Sequence, residues 1–108
     1  AMSARTLIDL PPRVRRGQAF EVRVSIGHPM ETGYRRGADG AHLPRDILSE
    51  FRCDFEGEPV FRARLYPAIS ANPFLAFAMV AERSGELLFS WRGDHGFAHT
   101  ERVALFVE

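Results

Sequence analysis

The chain has 108 residues, fourteen Arg and no Lys against fourteen acidic residues, and a formal charge of zero. With no basic tract longer than two residues it lacks the electrostatic footprint of a nucleic-acid binder, and no apolar run approaches the roughly 20 residues of a membrane span. Its length implies one domain over residues 1–108, able to bury roughly 60 to 70% of its unfolded surface, and its single cysteine, Cys53, excludes an internal disulfide.

Thr6 to Leu10 reads as a short edge strand, stopped by Pro11 and Pro12, which cannot donate to a ladder. Arg13 to Gly17 reads as a basic turn. From Phe20 to His28 the alternation is strict: Phe20, Val22, Val24 and Ile26 point one way, and Glu21, Arg23 and Ser25 the other. Ile47 to Phe55 is the third strand, with Phe51, Cys53 and Phe55 on one face, and Leu43 to Ser49 could carry a helical turn too short to change the fold class. Glu56 to Glu58 makes a turn in which Gly57 supplies positive φ, and Val60 to Leu65 returns antiparallel. Phe74 to Ala81 is apolar on both faces: Leu75, Phe77 and Met79 share one, and Phe74, Ala76, Ala78 and Val80 the other. Such a strand is either covered on both sides or offers one side for docking. Glu86 to Arg92 and Phe97 to Val107 complete the pattern, joined by a hairpin turn at Gly93 to Gly96. About seven short strands without a convincing amphipathic helix predict an all-β, immunoglobulin-like antiparallel sandwich.

Between the second and third strands lies HPMETGYRRGADGAHLPRD, His28 to Asp46, about nineteen residues without strand alternation. Ordered loops of that length are uncommon unless they bind something. Met30, Tyr34, Arg35 and Arg36 are residue types enriched at protein interfaces. Other chemistry is thinly represented. Cys53 sits between two inward phenylalanines, which favours a packing role over a nucleophile. His28 with Met30, joined by His95, resembles a soft-ligand set for copper and supports a small periplasmic metal-binding sandwich as the alternative reading, with His42 and His99 as further imidazoles. The chain has no paired Cys, no His-Glu helix motif, no phosphate-cradling glycine loop and no G-x-S-x-G elbow.

Four stretches taken together, HPMETGYRR at 28–36, GAHLPRDIL at 40–48, FRCDFEGEPVF at 51–61 and SANPFLAF at 70–77, resemble the SoxZ family of bacterial thiosulfate oxidation. The resemblance implies a non-catalytic immunoglobulin-like subunit without cofactors. Its expected partner is SoxY, whose C-terminal arm carries the sulfur intermediate on a cysteine. It also implies transient contact with a c-type cytochrome, a thiosulfohydrolase and a sulfur dehydrogenase. The sequence ends VALFVE with no such arm, and AMSARTLIDLPP lacks the apolar core of a secretory signal. Both features agree with a non-carrying subunit taken to the periplasm by SoxY. Where relatives often have Lys after the mid-loop glycine, this chain has Ala41 and His42. The expected docking surface comprises Met30, Tyr34, Arg35 and Arg36 of the loop, Asn72 and Pro73, and the outer face of Phe74, Ala76, Ala78 and Val80. The same exposed face predicts a homodimer when SoxY is absent.

Overall fold

The computed structural model describes residues 5–108; residues 1–4, part of the N-terminus read above for an export signal, lie outside the described set. Eight strands form two sheets. Strand β1 (Thr6–Asp9), β3 (Phe20–Ile26) and β6 (Phe74–Met79) make a three-stranded antiparallel sheet in the order β1-β3-β6. The second sheet runs β2-β8-β7-β4-β5, with β2 at Arg13–Val14, β4 at Leu48–Phe55, β5 at Glu58–Arg64, β7 at Gly85–Gly93 and β8 at Ala98–Val107. This is the expected immunoglobulin-like sandwich.

Period-two alternation places the core. Val22, Val24 and Ile26 of β3 and Phe77 and Met79 of β6 face Phe51 and Cys53 of β4 and Leu87, Phe89 and Trp91 of β7, all buried. Phe51 is the central ring, 5.2 Å from Trp91 and 6.2 Å from Phe77 between centroids. Phe61 on edge strand β5 stacks at 4.4 Å on Phe77 and so ties the two sheets together along that side. Offset aromatic pairs of this kind each add about 0.5–1.5 kcal/mol beyond the area they bury.

Three local expectations are corrected. The stretch Arg13 to Gly17 is not all turn: Arg13 and Val14 form a two-residue strand lying parallel to Phe106 and Val107 of β8. The Val14 carbonyl accepts the Glu108 N–H at 2.9 Å, and its side chain is buried, so a tertiary contact creates a strand too short to show periodicity. Leu43 to Ser49 forms no helical turn, because Asp46 pairs with Glu31 and β4 begins at Leu48. Strand β6 ends at Met79 rather than Ala81. The β4-β5 turn has the two left-handed residues of a type I′ hairpin, Gly57 as expected (φ +83°) and also Glu56 (φ +49°). Glu56 is held there by reciprocal bonds to Glu86: its N–H donates to the Glu86 carbonyl at 3.1 Å, and its Oε1 accepts the Glu86 N–H at 2.6 Å.

Candidate functional site

The long loop is ordered from its root outward. As β3 ends, the His28 N–H donates to Asn72 Oδ1 at 3.0 Å and the His28 carbonyl accepts the Asn72 N–H at 2.8 Å, which locks the loop's first residue to the segment entering β6. The His28 ring is buried edge-on against Phe97, with centroids 5.3 Å apart. Its Nδ1 accepts the Met30 N–H at 3.1 Å, so the ring's proton sits on Nε2, 3.6 Å from Asp46 Oδ1. Burial lowers the His28 pKa below the usual imidazole value, against the pull of Asp46 and then Asp94.

Met30 is a core residue. It is only 4% exposed, adopts a left-handed backbone (φ +51°), and its sulfur accepts the Leu48 N–H at 3.2 Å. It is therefore withdrawn from the docking surface. Pro73 is also buried, its carbonyl accepting the Ile26 N–H at 3.3 Å, and is withdrawn for the same reason. Asn72 is exposed, but its side-chain carbonyl is taken by His28, which makes it a brace for the loop. Of the donor atoms the copper reading could draw on, His28 Nδ1 and Met30 Sδ already accept main-chain N–H groups, and His28 Nε2 faces Asp46. His95 is engaged elsewhere, its Nε2 2.7 Å from the Arg45 carbonyl. Among the described residues no three His, Cys, Asp or Glu side chains are grouped to hold a metal ion.

Beyond the root the loop folds back on itself. Glu31 and Asp46 exchange N–H···O bonds at 2.8 Å in both directions, and Leu43 N–H to Arg35 O (2.7 Å) and Gly37 N–H to Ala41 O (2.8 Å) extend the pairing outward. Its C-terminal end is clamped to the β7-β8 turn. Arg45 makes a two-pronged ion pair with Asp94, both bonds 2.9 Å, and Asp94 also accepts the Ile47 N–H at 3.1 Å. The Arg45 guanidinium holds the Asp94 carboxyl below its ordinary pKa. Nothing in the local sequence marked this clamp, because Arg45 and Asp94 lie far apart along the chain. Among the residues the loop leaves exposed are Tyr34, 80% accessible, and Arg35 and Arg36 beside it. Arg35 is drawn onto Glu31 at 2.6 Å, and Arg36 Nη1 donates to the Gly40 carbonyl at 2.7 Å.

The β6 face is open. Phe74, Ala76, Ala78 and Val80 are all exposed, and the register continues their surface through Ser25, Arg23 and Glu21 of β3 to Leu7 and Asp9 of β1. Leu7, Asp9, Arg23, Val24, Ser25 and Phe74 line a shallow depression of about 240 Å³. Strand β6 is also the end of its sheet. The Ile26 to Pro73 bond sets the phase of the β3-β6 ladder, so Leu75, Phe77 and Met79 turn their N–H and C=O groups toward β3, and Phe74, Ala76 and Ala78 turn theirs away. This edge, FLAFAM, carries no charge and no proline. Edge β5, by contrast, has Pro59, Arg62 and Arg64, residues that discourage strand pairing.

Cys53 is fully buried beneath the rings of the core, and burial, then the charge of Asp54, pushes its thiol up to about 12. A thiol in that setting is neither thiolate nor accessible, so Cys53 is a packing residue.

The described residues thus form an immunoglobulin-like sandwich that presents an apolar, unpaired edge strand beside a braced loop, and such an edge is a template for contact with another chain. The chain matches the family model described as "Sulphur oxidation protein SoxZ" over residues 8–104, and it belongs to the SoxZ family. Its role is therefore in sulfur oxidation. No curated protein matches it. Among solved structures it is similar to a superoxide reductase (neelaredoxin) from Ignicoccus hospitalis, with 23% identity, TM-score 0.71, 95% of this chain and 80% of that one covered. It is also similar to the sulfur carrier protein SoxY from Chlorobium limicola f thiosulfatophilum, with 13% identity, TM-score 0.67, 95% of this chain and 78% of that one covered. At these identities both likenesses establish the fold.

Proposed function

We propose that the chain is the non-catalytic subunit of a two-chain sulfur carrier: it binds SoxY and presents SoxY's thiol-bound intermediates to the cytochrome, thiosulfohydrolase and sulfur dehydrogenase of thiosulfate oxidation. The observation that carries this reading is the uncovered β6 edge, where an apolar face and three residues' worth of unpaired main-chain groups coincide. A sheet edge of that kind is a template for a second chain, which can satisfy the hydrogen bonds and cover the apolar surface together. Phe74, Ala76, Ala78 and Val80 supply the apolar contact, while Tyr34, Arg35 and Arg36 form a rim or meet the oxidising enzymes. The complex acts in the periplasm, to which SoxY carries this subunit. When SoxY is absent, the same surface pairs two copies of the chain, and sedimentation showing monomer at all concentrations would contradict that step.

The test is co-expression with SoxY, capture of one chain, and hydrogen exchange on the complex. The expected result is one-to-one association with newly protected amides at Phe74, Ala76 and Ala78, the three that point away from β3. Failure of a well-folded chain to associate would remove the scaffold reading, and association without protection there would move the interface elsewhere.

A further inference from the structure

The outward face of the five-stranded sheet has a different character from the β6 face. The register sets Arg52 of β4 directly opposite Arg62 of β5, with Ser90 of β7 on its other side. One row away, Glu50 lies between Arg64 and Arg92. Like charges directly opposite one another on a sheet destabilise it, and nothing among the described residues relieves this pair fully. Arg52 Nη2 reaches Asp54 at 3.2 Å, but its Nε is buried and has no acceptor among the described residues. A buried guanidinium N–H without a partner is costly, and such groups are ordinarily satisfied. Arg62, Arg64 and Arg92 have no carboxylate within 4.0 Å among the described residues, whereas Arg23, Arg35, Arg45, Arg52 and Arg102 each have one. A chain with no net charge has thus gathered Arg52, Arg62, Arg64 and Arg92 around Glu50 and Asp54, on the face that also carries the Arg102–Glu86 ion pair.

We infer that this face is a docking surface for the carboxylates of an acidic protein. The Arg forks suit carboxylates, which they can hold by two parallel bonds. A depression of about 150 Å³ lined by Glu50, Arg62, Ala63 and Arg64 accepts a group of carboxylate size. The arginines lie on three neighbouring strands in rows roughly 7 Å apart, spacings set by the sheet itself, so a single small oxyanion cannot meet them all and a protein surface can. Pro59 disfavours strand addition at β5, which leaves side-chain contact on the face as the mode of binding. This surface lies on the opposite sheet from β6 and stands whether or not β6 receives SoxY.

The experiment is an amide chemical-shift titration of the folded chain with a short poly-glutamate peptide at low salt, and separately with sulfate. The peptide is expected to shift amides of β4, β5 and β7, with an affinity that falls as salt is added. Arg62→Gln with Arg64→Gln should weaken it roughly five- to tenfold, the loss expected for two exposed ion pairs. Arg15→Gln with Arg16→Gln removes the same charge from an exposed turn and should leave the affinity within about twofold, since surface pairs act locally. Relief of the repulsion should leave the urea midpoint of free Arg62→Gln unchanged or raised. Equal loss in both double variants, shifts mapping elsewhere, no shifts, a lowered midpoint, or sulfate reproducing the peptide's shifts at equal charge concentration would each overturn the assignment.

Discussion

Phe74→Ala isolates the apolar contribution of the β6 face. Phe74 is 61% exposed, and its neighbours across the ladder are Ser25 and, beyond it, Leu7, so truncation leaves no cavity in the core. Fold stability should change by less than about 1 kcal/mol, as for surface positions generally. A phenylalanine side chain offers roughly 200 Å². The exposed fraction is thus about 120 Å², and at about 25 cal/mol per Å² its burial under a partner is worth at most about 3 kcal/mol. Imperfect coverage and ordering costs reduce this to about 1.5–2 kcal/mol, or roughly 10- to 30-fold in Kd. Calorimetric titration of SoxY into wild type and variant, with circular dichroism to check the fold, measures it. Phe106→Ala is the control: Phe106 is 59% exposed but lies on β8 of the other sheet, and its removal should leave SoxY affinity unchanged. A folded Phe74→Ala with wild-type affinity, or equal losses in the two variants, would refute the argument that this face is the contact.

Cys53 should resist an aromatic disulfide reagent in native buffer and react at once in denaturant. Because its folded pKa is raised from 9.0 to about 12, unfolding releases a proton between those values, so the fold should lose stability as pH rises through that window, and Cys53→Ser should flatten that part of the curve. His28 acts in the opposite pH range. Its folded pKa is lowered, so the unfolded chain takes up a proton first as pH falls below 6.5; urea midpoints should drop there, and less steeply in His28→Gln. Gly93→Ala would bring a Cβ to 2.5 Å from the Ile47 carbonyl, beside the Arg45–Asp94 clamp, and should cost about 1–3 kcal/mol by urea denaturation.

Strands β3, β4 and β7 were legible because half-burial writes a period of two into the sequence, and β6 announced its open face because both sets of alternating positions are apolar. Strand β2 was invisible for the complementary reason: two residues have no period, and Val14 becomes strand only where β8 lies beside it. The candidate site was half legible. Tyr34, Arg35 and Arg36 are on the surface as residue type suggested, but residue type could not show that Met30 turns inward, since its burial rests on the Leu48 N–H and a left-handed backbone. The Arg52–Arg62 opposition was equally hidden, because cross-strand register is fixed by a turn whose Glu56 is held by a residue of a third strand.

The pairing of β2 with β8 also shapes the route by which the chain folds. Arg13 and Val14 near one end bond to Phe106, Val107 and Glu108 near the other, and β7 has no second neighbour until β8 is present. Closing so long a loop is entropically slow, and a fold rich in such pairings belongs to the slower part of the kinetic range. During synthesis the β4-β5 hairpin and the β3-β6 pair can form first, but the five-stranded sheet stays incomplete until β8 has emerged. Cooperative stability therefore arrives late, and residues 98–107 are the segment whose loss would leave β2 without its partner, β7 with one neighbour and the sandwich still open.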